Sequence, residues 1–87
     1  MTHLRHMRHV ELMELVRELL RRGYITVVEE LKGGRASLAP NTMAVKSVRE
    51  AAAVCMLIDE FYRLLESMGA VGRDRVMSRE QLLELLG

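Results

Sequence analysis

Histidines stand at positions 3, 6 and 9, and imidazole both ligates zinc and titrates near neutral pH. On a helix each step of three residues turns the side chain by about 60°, so neighbours could share an ion but all three could not converge on one. No cysteine or carboxylate completes a ligand spacing beside them. The sequence therefore implies no metal site within one copy, and only pairing across an interface would bring His3, His6 and His9 around an ion.

Cys55 lies inside the apolar run AAAVCMLI. A cysteine in such a run reads as a small buried hydrophobe, and an apolar setting raises the thiol pKa instead of activating it. No histidine near it in sequence could act as base. Asp59 and Arg63 are spaced i, i+4, an ordinary helix-surface pair. Glu29 and Glu30 sit beside Lys32 like the solvated side of a turn. No carboxylate pair has a reason to be buried, and no phosphate loop, dinucleotide fingerprint or nucleophile elbow is present. The expectation is a protein that is not an enzyme and carries no cofactor.

Cations make the stronger chemical case. Residues 1–10 contain Arg5 and Arg8 with no acid, and 73–79 contain Arg73, Arg75 and Arg79 against Asp74. A short helix at 27–32 followed by a second helix after Pro40 would form a helix-turn-helix. That second helix would offer Asn41, Thr42, Lys46 and Arg49 to a groove, with Arg5, Arg8, Arg73 and Arg75 as phosphate contacts. Residues 33–40 make a longer linker than the 3–4 residues typical of that motif. Net charge is only +1, so no global field draws the chain to DNA. Scarce aromatics (Tyr24, Phe61 and Tyr62) argue against binding single strands by stacking.

These side chains need elements to hold them. Leu12, Leu15, Val16 and Leu19 share one face of a helix over 9–22, which Gly23 ends. Extending that helix backwards would turn Arg5, Arg8 and His9 toward the core, so 1–8 is read as a basic arm or a helical extension. Residues 24–38 are two-sided. YITVV has strand propensity and Gly33-Gly34 could close a two-residue hairpin, but this would set Lys32 opposite Arg35. Thr26 and Glu29 form a capping box instead, favouring a helix at 27–32. A long helix capped by Asn41 or Thr42 then runs to Met68, followed by Gly69. After a loop over 69–77, Ser78 and Gln81 form a capping box for a last helix at 79–86.

In the long helix, Ala51, Val54, Ile58, Phe61, Leu65 and Met68 follow a 3-4-3-4-3 seam. Ala52, Ala53 and Met56 interrupt its polar face as well. A helix of that length spans about 40 Å, against a diameter of roughly 30 Å for a compact domain of this size. Part of it must then pack on another molecule.

Eighty-seven residues make one domain. A lone cysteine cannot make an internal disulfide, which points to self-association as the source of extra stability. No apolar run suits a membrane span or a signal peptide, so a cytoplasmic protein is expected. Eleven arginines against two lysines, with a single Asn and a single Gln, fit a thermophile or a GC-rich genome. The whole reads as a single all-α domain over 1–87, with three to four helices around one long central helix at about 42–68. A β-hairpin at 24–38 is the main alternative. The expected role is a non-enzymatic assembly module, a homo-oligomer and most simply a dimer, joined through Ala51, Val54, Ile58, Phe61 and Leu65. The competing role is a small nucleic-acid-binding protein with a helix-turn-helix or a basic helical surface.

Overall fold

A computed structural model of the chain describes residues 9–87. The elements run α1 (His9–Arg21), β1 (Ile25–Glu29), β2 (Ala36–Pro40), α2 (Val48–Ser67) and α3 (Arg79–Leu86). The all-α expectation is thereby corrected: 24–40 is an antiparallel hairpin and the helix at 27–32 does not exist. The reason lies in the loop. The backbone bond from Glu30 N–H to the Arg35 carbonyl closes residues 31–34 into a four-residue loop. Arg35 then opposes Glu30, and the like-charge pair with Lys32 that counted against a hairpin never forms. Gly33 and Gly34 take φ of +85° and +66°, which side-chain-bearing residues rarely adopt. With the loop so shaped, the β-branched Ile25, Thr26, Val27 and Val28 take the extended form they favour.

The register runs unbroken from Ile25 opposite Pro40 to Glu29 opposite Ala36. Backbone bonds at Tyr24/Asn41 and Glu30/Arg35 fix the alternation, so β1 and β2 bond each other through positions 26, 28, 37 and 39. Positions 36, 38 and 40 of β2 point their amide sites outward. Ala36 N–H donates to the Met77 carbonyl, Leu38 N–H donates to the Tyr62 hydroxyl, and Pro40 has no N–H. The outward N–H groups of β2 are thus accounted for. The matching outward groups of β1, at Ile25, Val27 and Glu29, have no hydrogen-bond partner among the described residues.

The long helix is shorter than its sequence pattern suggested. Asn41 does not cap it. The Asn41 carbonyl accepts from Ala44 N–H and Val45 N–H while its side-chain oxygen accepts from Met43 N–H, a local turn of the kind Asn favours. The Asn41 side-chain amide also donates to the Gly23 carbonyl at 2.8 Å, tying the end of β2 to the end of α1. Ser47 is the cap, its hydroxyl accepting from Glu50 N–H. Twenty residues make α2, a rod of about 30 Å that fits inside the 39 Å longest dimension of the molecule. The argument that the helix must outgrow its own domain therefore fails.

The core sits where α1, the hairpin and the C-terminal half of α2 meet α3. Val16 and Leu12 from α1, Ile25, Ala36 and Leu38 from the hairpin, and Phe61 and Leu65 from α2 are buried together with Met77, Leu82 and Leu86. Arg17 closes the helix end of this layer by donating from Nε to the Leu86 carbonyl. No described helix is long and apolar enough to cross a membrane.

Candidate interaction surface

Helix α2 changes character halfway along. From Leu57 onward its apolar side chains enter the core, with Ile58, Phe61, Leu64 and Leu65 all buried. Ahead of Leu57 the helix is at least as rich in apolar residues, yet no described element covers most of them. Val48 is 88% and Met56 60% exposed, and Ala52, Ala53 and Cys55 are exposed as well. Val48, Ala52, Cys55 and Met56 are spaced i, i+4, i+7 and i+8, which puts them on one stripe of the helix. Met43, 88% exposed, stands just before the helix. Helix propensity accounts for the local structure, because Ala is the best helix former and Ser47 caps the first turn. It does not account for so much apolar surface in water.

The stripe ends in charge. Asp59, Glu60 and Arg63 line a shallow hollow together with Cys55 and Met56. Asp59 bonds Arg63 at 3.0 Å and Arg75 at 2.9 Å, and Arg75 reaches on to Glu66 at 2.6 Å. The guanidinium of Arg75 also lies 5.4 Å from the centre of the Tyr62 ring. Hydrogen bonding to Arg75, aided by Arg63, holds the Asp59 carboxyl below its ordinary pKa. Glu66 and Asp59 in turn push Arg75 further into its charged form. Arg75 holds φ of +56°, in the left-handed region that non-glycine residues rarely enter, and this ion cluster holds it there.

The residues expected to form a dimer seam divide between core and surface. Phe61 and Leu65 are completely buried and Ile58 nearly so, all within the chain's own core. Val54 packs against the edge of that core and Ala51 is half-buried. As an intermolecular seam this set is corrected: its periodicity is that of the face turned inward. Cys55, read as core, is exposed.

The residues expected to contact nucleic acid are not brought together as one surface. Asn41 is engaged in the turn and Arg75 in the ion cluster. Thr42, Lys46 and Arg49 are exposed around the start of α2, and Arg73 is exposed in the loop before α3. The helix-turn-helix that linked them is replaced by the hairpin. Arg5, Arg8, His3 and His6 lie outside the described residues, and His9 is exposed at the start of α1. Among the described residues no cluster of His, Cys, Asp or Glu is placed to hold a metal ion. No family model matches the chain, and neither a curated protein nor a solved structure is similar enough to match it.

The stripe was half visible in the sequence. Ala52, Ala53 and Met56 stood out as apolar residues on the wrong side of the seam. Which side faced inward could not be told from periodicity alone, since AAAVCMLI is apolar all round.

Proposed function

We propose that the protein is a non-enzymatic assembly module of the cytoplasm that self-associates through the N-terminal half of α2. The observation that carries this reading is the uncovered stripe Val48, Ala52, Cys55 and Met56 on a well-capped helix. A second copy of the same stripe, laid antiparallel, matches it in apolarity, and Ala52 at the centre allows close approach of the backbones. Nine residues of helix are only about 13 Å long, so the contact falls well below the roughly 1,600 Å² of a standard interface and the affinity is modest.

Sedimentation or light scattering over a range of concentration and salt tests this. The mass should rise above 10.0 kDa with concentration and respond weakly to salt. Ala52→Glu should return it to the monomer while the circular dichroism spectrum stays unchanged. A wild-type mass that stays monomeric at millimolar concentration would refute the reading.

A second reading is nucleic-acid binding by a basic helical surface. It draws on Lys46 and Arg49, both exposed at the start of α2. Adding a mixed-sequence duplex to the same experiment separates the two, because a mass shift that vanishes as salt rises is the mark of phosphate contacts.

A further inference from the structure

Two adjacent sulfurs, Cys55 and Met56, are exposed on the uncovered half of α2. Among the described methionines, Met77 is buried and Met13 packs against the core, so the fold shields both. Met43, Met56 and Met68 are all more than half exposed. Of these three, Met56 alone lies on the stripe with Val48, Ala52 and Cys55. Met68 is the C-cap at the far end of α2, and Met43 stands ahead of the helix.

Met56 also borders polar groups, sharing the shallow hollow with Asp59, Glu60 and Arg63. The Arg63 Nε bonds Asp59 at 3.0 Å, while its approach to Glu60 is only 4.0 Å, and its side chain is 66% exposed. A guanidinium with N–H groups to spare therefore lies beside the thioether.

We infer that Met56 is an oxidation site through which self-association is switched off, the oxidant being a small peroxide. The inference rests on the helix contact proposed above. The thioether sulfur gives a lone pair to one oxygen of hydrogen peroxide and the O–O bond breaks. The products are methionine sulfoxide and water, and the thioether is the group oxidised. The free chain accommodates the new oxygen, because water and Arg63 N–H groups both reach the hollow. The helix contact does not. With two antiparallel stripes centred on Ala52, Met56 lies against Val48 of the other copy, which offers only carbon. Arg49 of the other copy borders that spot and donates only by giving up its own water. The two-fold places a sulfoxide at both ends of the contact, so each dimer bears the penalty twice.

Light scattering before and after hydrogen peroxide, combined with mass mapping of the peptides, tests this in a Cys55→Ala chain, where no thiol contributes. Mapping should find one added oxygen at Met43, Met56 and Met68 well before Met77. Oxidation should weaken self-association at least about tenfold, as expected when an apolar contact acquires unsatisfied acceptors, and leave the circular dichroism spectrum unchanged. Methionine sulfoxide reductase should restore the contact. Met56→Leu keeps the apolar volume and should associate normally yet ignore the oxidant. Met43→Leu and Met68→Leu should still respond. An oxidised chain that stays associated, or a Met56→Leu chain that responds as strongly as its parent, would overturn the inference and leave the helix contact standing. A reduced protein that is monomeric at millimolar concentration would remove the helix contact itself, and this inference with it.

Discussion

Arg75 shows how one side chain can hold a loop. Its backbone sits in the left-handed region, and its guanidinium gathers Asp59 and Glu66 from α2 while lying over Tyr62. The segment between α2 and α3 is thereby pulled onto the helix. The pH dependence of this arrangement follows from the Asp59 shift. Asp59 has a folded pKa below the unfolded value of about 3.9. Its stabilising contribution is complete above that value and is lost as pH falls through the folded one. Glu18, lowered by hydrogen bonds from Arg21 and then Arg22, has the same sign. Urea midpoints measured between about pH 6 and pH 2 should therefore fall on the acid side. In Asp59→Asn that fall should be shallower, and an identical acid branch in wild type and variant would dismiss the cluster as a stability determinant. Little of this cluster could be read ahead of the structure, because Arg75 reaches 16 residues back to Asp59. Local partners were legible: the Ser78–Gln81 capping box is present in both directions.

At the scale of elements, the hairpin depends on a tyrosine from a helix. Leu38 N–H lies in a buried setting and donates to the Tyr62 hydroxyl at 3.1 Å. Tyr62→Phe keeps the ring but strands that donor, at a cost of about 1–3 kcal/mol. The expected result is a lower urea midpoint with an unchanged slope, and a loss below about 0.5 kcal/mol would mean that water replaces the hydroxyl. Elements with a clear stop were readable in advance. The first helix ends at Arg21 before Gly23, and the last occupies Arg79–Leu86 as its cap implied. The hairpin at 24–38 ranks below a helix only if its turn is the tightest one, and that assumption creates a charge clash the real loop avoids. The start of α2 was missed because Asn41 can both cap a helix and make a turn, and tertiary contact with Gly23 selects the turn.

For the whole molecule, the question is how a small core carries an uneven surface. Phe61 and Leu65 are buried completely and anchor the joint of α2, the hairpin and α1. Phe61→Ala should cost about 3–5 kcal/mol, a large share of the roughly 5–15 kcal/mol available to a domain. Thermal melts should show a broad or absent transition. Val48→Ser, on the uncovered stripe, should stay within about 0.5 kcal/mol of wild type under dilute conditions. If the two variants melt alike, the division of α2 into an inward and an outward half is wrong. The 3-4 seam in the sequence was real, but it marked the inward face. Overestimating the length of α2 turned an internal contact into an intermolecular one.

The hairpin's closed edge has a consequence for how the chain is made. Leu38 finds its acceptor in Tyr62, 24 residues further along, and Ala36 finds its own at Met77. At about 5–20 residues per second the ribosome takes about 1–5 s to make the chain between Leu38 and Tyr62, and the hairpin leaves the exit tunnel while Tyr62 is still enclosed in it. Until Tyr62 and Met77 emerge in turn, the amides of the β2 edge are bare. Neighbouring ribosomes on one message would then hold bare strands close together, a setting in which premature pairing competes with completion of the fold. Slower decoding between Leu38 and Met77 should raise the yield of aggregated product, and faster decoding should lower it.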